Sequence, residues 1–175
     1  MFTRLATLAT LIVGTFALSA CGINSVPTKE EAAKAQWANV EAALQRRSDV
    51  IPNLVATVEA AAVSEEDILV GVTDARSRAT SINITTDDLS NPEEFQRFNE
   101  AQNQLTQALG QLRTVVEAYP QLQSNQRFAD LMVEIEQANN MINTEINRYN
   151  DTARDYNTEI RTFPSTIAAN IIHGS

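Results

Sequence analysis

The stretch NPEEFQRFNEAQNQLTQALGQLRTVVEAYP, residues 91–120, carries the signals for one complete α-helix. Asn91 is placed to cap the first turn, Pro92 suits the first helical position, and the two glutamates that follow favour the positive end of the helix dipole. Apolar side chains then form a heptad-like seam, with spacings of three, four or seven residues, at Phe95, Phe98, Leu105, Leu109, Leu112, Val116 and Tyr119. This spacing predicts an amphipathic helix that buries one face and ends before Pro120.

The sequence before this stretch predicts two more helices. Residues 29–62 form a long one, because apolar residues again recur at threes and fours. Its apolar face consists of Trp37, Val40, Leu44, Ile51, Val55 and Val58. A shorter helix follows Ser64, which is placed as an N-cap, and its apolar residues are Ile68, Val72, Ala75 and Ala79. Residues 81–91 lack periodicity and are predicted to form a loop.

The sequence after the stretch predicts one more long helix, from near Ser124 or Asn125 to Phe163-Pro164. A proline disfavours helical backbone at the residue before it, so this pair marks the end. The heptad-like seam of this helix comprises Phe128, Leu131, Ile135, Ala138, Ile142, Tyr149, Ala153, Tyr156 and Ile160. Asn139, Asn140 and Asn143 are interpreted as bundle surface, with a polar pocket as the alternative.

Four helices with short or moderate connections, and no stretch that alternates like a strand, predict an all-α protein. The predicted fold is an elongated antiparallel four-helix bundle with long helices. At about 1.5 Å per residue the longest helix would reach roughly 50 Å. An extended coiled-coil dimer is the alternative architecture, because two seams persist over several heptads. A homo-oligomer is also compatible with the bundle.

Residues 1–20 are predicted to be a signal peptide, with Arg4 as a weakly basic start and an apolar run up to Leu18. The ending Leu18-Ser19-Ala20-Cys21 resembles the lipobox of bacterial lipoproteins. This resemblance implies cleavage before Cys21 and attachment of fatty acyl chains such as palmitate to its thiol. The alternative is an uncleaved membrane-spanning helix, but the apolar run is shorter than the roughly 20 residues that a span needs.

The predicted anchor also implies a location and excludes some chemistry. Gly22 rather than aspartate follows Cys21. In a Gram-negative cell this favours the outer membrane facing the periplasm, and in other bacteria the outer face of the cytoplasmic membrane. Because Cys21 is the only cysteine, no internal disulfide can form.

The charge of the chain argues against nucleic acid as a partner. The sequence has 13 Lys and Arg against 22 Asp and Glu, a net charge of −9, and loss of Arg4 with the signal peptide would leave 12 against 22, or −10. Such a charge repels phosphate backbones and anionic lipid head groups. We therefore expect no nucleic-acid partner, and we expect contact with the membrane through the lipid anchor.

Three blocks of sequence resemble the LemA family: RRSDVIPNLVATV (46–58), VVEAYPQLQSNQRF (115–128) and NRYNDTARDYNTEIRTFPS (147–165). The resemblance implies a helical envelope domain, with partners among membrane metalloproteases or TPM-domain envelope proteins. The predicted division is signal peptide 1–20, anchor linker 21–28, LemA-like bundle 29–165 and C-terminal tail 166–175. The residues singled out as a structural signature are Arg46, Arg47, Asp49, Pro52, Asn53, Glu145, Arg148, Tyr149, Asn150, Tyr156 and Pro164.

Catalytic chemistry finds little support in the sequence. A hydrolase needs an activated nucleophile with a base, or a metal with several ligands. His173 is the only histidine and Cys21 the only cysteine, so no catalytic residue, metal site or cofactor is predicted. We predict a non-enzymatic, lipid-anchored scaffold or adaptor. The alternative is a small-molecule-binding or catalytic envelope module with a polar pocket inside the bundle.

The segment QRRSDVIPNL, residues 45–54, is predicted to have a structural role. Pro52 lacks the amide that would bond to Ser48, so the first helix should kink there or stop and restart. Arg47 falls at the edge of the apolar stripe, and Glu145 on the last helix is its predicted partner. The alternative is a functional pocket walled by Arg46, Arg47 and Asp49. An up-down-up-down bundle also places residues 163–172 beside the start of the first helix, near the membrane.

Overall fold

The structure is a computed structural model that describes residues 24–61, 65–86, 88–162 and 165–168. Its helices are α1 (Ser25–Ala60), α2 (Glu66–Ser81), α3 (Pro92–Val116), α4 (Pro120–Gln123), α5 (Gln126–Arg161) and α6 (Ser165–Ala168). A 3-10 turn at Asp88–Ser90 precedes α3. The described residues contain no β-strand. The predicted all-α bundle is confirmed, and α1, α2, α3 and α5 are the four predicted helices.

Several predictions concern residues outside those that the structure describes. They are the signal peptide and Cys21, the N-cap Ser64, the terminating pair Phe163-Pro164, and residues 169–175 of the predicted tail. Among the helices that the structure does describe, none combines the length and the apolar character needed to cross a membrane.

The chain divides into two compact units. The terminal unit contains the residues up to Ala38 together with those from Glu145 onward, and the central unit contains residues 39–144. Each of the helices α1 and α5 contributes residues to both units. The LemA-like blocks at 46–58 and 115–128 belong to the central unit, and the block at 147–165 belongs to the terminal unit.

The central unit has an apolar core built from all of its helices. Because the predicted stripes turn inward, most of the predicted core residues are buried, and burial of each large aliphatic side chain stabilises the fold by about 1.5–3 kcal/mol. The core cluster comprises Val50, Ile51, Leu54, Val58, Leu69, Val72, Ala75, Ala79, Leu105, Leu109, Leu112, Val116, Leu122, Phe128, Leu131 and Ile135.

Two residues near the loop between α2 and α3 depart from the prediction. The spacing predicts Phe95 in the apolar seam, but the structure leaves it 42% exposed. At about 100° per residue it lies roughly 80° from Leu105, which is fully buried, and it sits in the first turn of α3. Ile84, inside the predicted loop, is instead buried. The loop therefore supplies an apolar side chain that helical periodicity does not detect.

The helix ends follow local chemistry. Asn91 caps α3 as predicted, since its Oδ1 accepts a hydrogen bond of 3.1 Å from the backbone N–H of Glu93. Asn125 acts similarly before α5, accepting from the N–H of Phe128 at 3.2 Å. Glu65 occupies the N-cap of α2 without a side-chain capping bond. These bonds satisfy amides that the first helical turn leaves unpaired.

In the terminal unit, α1 and α5 run antiparallel. The hydroxyls of Ser25 and Ser165 both donate to Oε1 of Glu159, at 2.5 and 2.6 Å. Lys29 Nζ lies 3.3 Å from a carboxylate oxygen of Asp155 in an exposed ion pair. The end of α5 and the start of α6 thus lie beside the beginning of α1. The start of α6 is the part of the predicted segment 163–172 that the structure describes.

Because Ser25 and Ser165 both bind the carboxylate of Glu159, the stability of the fold should depend on pH. Hydrogen bonds from Ser165 first and Ser25 second, with the charge of Lys29 adding, hold the pKa of the Glu159 carboxyl below its ordinary value of about 4.5. A lowered folded-state pKa stabilises the protein above the unfolded-state pKa, and this contribution is lost as the pH falls through the folded-state pKa. We therefore expect Glu159→Gln to unfold at a lower urea concentration than the wild type at neutral pH. The difference between the two urea midpoints should disappear below about pH 4.

Urea unfolding monitored by circular dichroism at several pH values checks this expectation. Glu134→Gln is the matched control, since Glu134 is an exposed glutamate on the same helix. If the difference in urea midpoint between Glu159→Gln and wild type stayed constant down to pH 3, Glu159 would not be the carboxylate that joins the chain ends.

Candidate functional site: a buried arginine beside a cavity

Arg47 is the centre of a polar cluster inside the central unit. It is only 5% exposed. Its guanidinium donates to Oε1 of Gln102 at 2.5 Å, to Oδ1 of Asn139 at 3.0 Å and to Oγ1 of Thr106 at 3.3 Å. α1 therefore contributes the cation, while α3 and α5 contribute neutral acceptors. Nε of Arg47 is also buried and forms no hydrogen bond with the described residues.

The predicted pairing of Arg47 with Glu145 is wrong. No carboxylate of the described residues forms an ion pair with Arg47. Burial lowers the pKa of the Arg47 guanidinium from its usual value, although an arginine remains protonated at any physiological pH. The site is thus a buried positive charge held by amides and a hydroxyl.

The error comes from the register between helices. Glu145 accepts a hydrogen bond of 2.5 Å from the side-chain amide of Gln36, which lies eleven residues before Arg47 on α1. It also pairs with Arg148 one turn further along α5, at 2.8 Å. Both contacts lie within the terminal unit. Asn139, six residues before Glu145, is the α5 residue that reaches Arg47.

Ser48 and Pro52 create a second polar feature next to Arg47. α1 continues through Pro52 as one helix, so it does not stop and restart. Since Pro52 has no N–H, the carbonyl of Ser48 lacks its usual helical donor. Nε of Arg76 on α2 donates to this carbonyl at 2.8 Å. The side chain of a neighbouring helix therefore supplies the hydrogen bond that the proline removes.

The hydroxyl of Ser48 is buried and unsatisfied. Ser48 is 2% exposed, and its Oγ forms no hydrogen bond with the described residues. A buried hydroxyl without a partner costs about 1–3 kcal/mol of stability. An unpaired buried group in a native protein needs an explanation. One explanation is that the group binds a ligand.

A cavity of about 300 Å³ lies against Ser48 in the central unit. It is formed by α1, the end of α2, the loop that follows, and α3. Its lining residues are Glu41, Leu44, Gln45, Ser48, Ala79, Thr80, Ile82, Asn83, Ile84, Phe98, Gln102 and Leu105. Arg46, Arg47 and Asp49, the residues of the alternative pocket, do not line this cavity.

The remaining described residues of the predicted signature either pack against neighbouring side chains or lie exposed on the surface. Trp37 and Tyr149 form an edge-to-face pair with ring centroids 5.1 Å apart, and burial raises the pKa of the Tyr149 hydroxyl. Tyr156 is half-buried. Three α1 side chains of the signature, Arg46, Asp49 and Asn53, are exposed, and Asn150 on α5 is exposed as well. Pro164 lies outside the described residues.

Several residues of the site were not predicted. Gln102 lies four residues after Phe98 and three before Leu105, so the spacing of the α3 seam could have identified it. The polar character of Thr106 and Arg76 gave no such signal. The sequence predicts Asn139 on the bundle surface, and this is wrong: Asn139 is half-buried and accepts a hydrogen bond from Arg47. Its position next to Ala138, a predicted core residue, is the one signal that could have placed it at the edge of the core.

The fold and the polar cluster define the class of protein: an all-α bundle whose core contains an arginine without a carboxylate partner among the described residues. The chain belongs to the LemA family, whose family model matches residues 36–175. The matched region includes all three sequence blocks and the whole of the Arg47 cluster. None of the curated proteins matches this chain.

Proposed function

We propose that this LemA-family protein is a lipid-anchored, non-enzymatic helical bundle of the bacterial cell envelope that acts as a scaffold or adaptor through protein contacts. The observation that carries the proposal is an uncharged stripe on the outer side of α5. Its members are Val133, Gln137, Asn140, Met141 and Thr144.

The stripe has the composition of a protein-binding surface. All five side chains are exposed, and at about 100° per residue they share one side of α5. Val133 is 50% exposed and Met141 is 40% exposed. Exposed aliphatic side chains without charges among them are inexpensive to bury against a partner, and methionine adapts to irregular surfaces. The expected occupant is an envelope protein that presents an uncharged, partly apolar surface.

The arrangement of the chain ends supports a close attachment to the membrane. Ser25, the first residue of α1, follows Cys21 by four positions and is bonded to Glu159 of α5. Four residues span at most about 14 Å. A lipid on Cys21 would therefore hold the terminal unit at the membrane surface. The location follows the sequence prediction: the outer membrane facing the periplasm in a Gram-negative cell, otherwise the outer face of the cytoplasmic membrane.

Site-specific photo-crosslinking in native membranes tests the adaptor role. A photoreactive amino acid at position 133 or 141 is expected to capture a discrete envelope protein, such as a membrane metalloprotease or a TPM-domain protein. The matched control is the same amino acid at Gln111, an exposed position on α3. Equal capture at all three positions, or none at 133 and 141, would contradict the stripe as the contact surface. Capture of a second copy would indicate a homo-oligomer instead.

Cys21→Ser tests the anchor separately. Since the lipid attaches to the thiol of Cys21, the variant is expected to leave the membrane fraction or to keep its signal peptide uncleaved. Two acyl chains bind a bilayer far more firmly than one, so the shift between fractions should be nearly complete. Cell fractionation combined with mass spectrometry of the N-terminus measures it. A variant with the fractionation and mass of processed wild type would refute the lipid anchor.

A further inference from the structure

The α1 side of the cavity beside Ser48 becomes more buried along its length, from exposed residues at the mouth to Ser48 at the inner end. Glu41, Leu44, Gln45 and Ser48 follow one another along one side of α1, over about 10 Å. Glu41 and Gln45 are exposed, whereas Ser48 is almost completely buried. A liquid water molecule occupies about 30 Å³, so the cavity has room for about ten non-hydrogen atoms.

The inner end of the cavity favours a negatively charged acceptor. Ser48 lines the cavity, and its hydroxyl carries a donor that forms no hydrogen bond with the described residues. Two guanidinium groups flank this residue: Arg76 is bonded to its carbonyl, and Arg47 lies behind Gln102. Neither arginine forms an ion pair with a carboxylate of the described residues.

Gln102 lies between Arg47 and the cavity, and its side-chain amide is held in one orientation by two hydrogen bonds. Its Oε1 accepts from Arg47, and its Nε2 donates to the backbone carbonyl of Ala79 at 3.2 Å. Both ends of the amide are thus engaged. A ligand meets a fixed polar wall with an uncompensated cation behind it, and such a preorganised positive field favours an anion.

The cavity has apolar as well as polar walls, and its lining includes the negative charge of Glu41. Leu105, Phe98 and Ile84 are all buried, and all three line the cavity. Glu41 at the mouth disfavours a second negative group there. Together these features select a ligand with one negative end and an apolar remainder.

We propose that this cavity binds a small monocarboxylate with an apolar body, whose carboxylate accepts a hydrogen bond from Ser48. The site goes beyond the proposed adaptor role and does not depend on it. Its ligand enters with the carboxylate first, because the anion is stabilised near the two arginines and repelled by Glu41. A dicarboxylate of similar length is excluded by the same residue.

Methyl NMR of the full, lipidated chain in detergent micelles tests the site. The isoleucine methyl groups are labelled, so that Ile82 and Ile84 report on the cavity and Ile135 on the rest of the fold. Phenylacetate is the probe. It is compared with its neutral isostere phenylacetamide and with 2-phenylethylammonium. We expect saturable shifts of the Ile82 and Ile84 signals with phenylacetate, and affinities at least about tenfold weaker for the other two compounds.

Two serine variants separate the proposed contact from general effects. Ser48→Ala is expected to keep the Ile135 signal and a thermal midpoint no lower than that of wild type, since it removes an unsatisfied hydroxyl, while weakening phenylacetate binding by about tenfold. Ser77→Ala, at an exposed serine on α2, is expected to bind like wild type.

Three results would overturn the proposal. The first is no saturable shift with phenylacetate, or a Kd weaker than about 10 mM. The second is equal binding of the amide or the ammonium compound. The third is unchanged affinity in a folded Ser48→Ala protein. Glu41→Gln adds a further measurement: 4-carboxyphenylacetate is expected to bind this variant but not the wild type.

Discussion

Arg47→Ala is expected to lower the free energy of unfolding by about 3–5 kcal/mol. The truncation leaves a void where the guanidinium and its stem were packed, and it removes the donor from Gln102, Asn139 and Thr106 at once. A fully buried acceptor that loses its partner costs about 1–3 kcal/mol. Gln102 and Asn139 are half-buried and Thr106 is exposed, so water replaces part of the lost bonds. Urea unfolding followed by far-UV circular dichroism measures the change.

Arg46→Ala is the matched control for this experiment. Arg46 is the neighbouring arginine on the same helix, and it is exposed. Its removal is expected to change the stability by less than about 0.5 kcal/mol. If Arg47→Ala were as mild as Arg46→Ala, the cluster around Arg47 would not contribute to the stability of the fold.

Arg47→Met separates packing from hydrogen bonding. Methionine retains most of the apolar stem and removes the charge that burial disfavours. The acceptors still lose their donor, so the expected loss is smaller than for alanine, about 1–2 kcal/mol. Equal losses for the two variants would show that packing of the stem contributes little.

The helices were predictable because their signals are local. The spacing of Leu105, Leu109 and Leu112 predicts the buried face of α3 without knowledge of any other helix. The Asn91 cap and the proline that follows mark the start of that helix in the same way, since both act within one turn. Four helices and most of their core residues follow from such signals alone.

The partners of Arg47 were not predictable because they depend on how helices are rotated and shifted against one another. The prediction paired two residues near the middle of their helices, Arg47 and Glu145. The structure places Asn139 at Arg47 and Gln36 at Glu145. A difference of six residues along α5 decides between an ion pair and a buried cation, and no pattern within either helix reports it. The cavity was not predictable for the same reason. Ser48 and Ile84 line it together only because α1, α3 and the loop after α2 pack against one another.

The role of Pro52 leads to the second large effect. Proline in a helix interior costs about 3 kcal/mol relative to alanine, because it removes one hydrogen bond and its ring crowds the preceding turn. Pro52 is exposed, so an alanine there loses little packing. We expect Pro52→Ala to raise the free energy of unfolding by about 1–3 kcal/mol. The gain stays below the full cost of proline, since Arg76 already satisfies the carbonyl of Ser48.

A double-mutant cycle with Arg76 tests the reason for this gain. In the wild type, Arg76→Met leaves the carbonyl of Ser48 without any donor, and we expect a loss of about 1–3 kcal/mol. In the Pro52→Ala background the new N–H of residue 52 bonds to that carbonyl, so the same substitution should cost about 1 kcal/mol less. Arg78→Met, which removes an exposed contact to Gln104 on the neighbouring helix, is expected to cost the same in both backgrounds. If the Arg76→Met losses were also equal, the bond from Arg76 would not compensate for the proline, and the benefit of Pro52→Ala would come from relief of crowding alone.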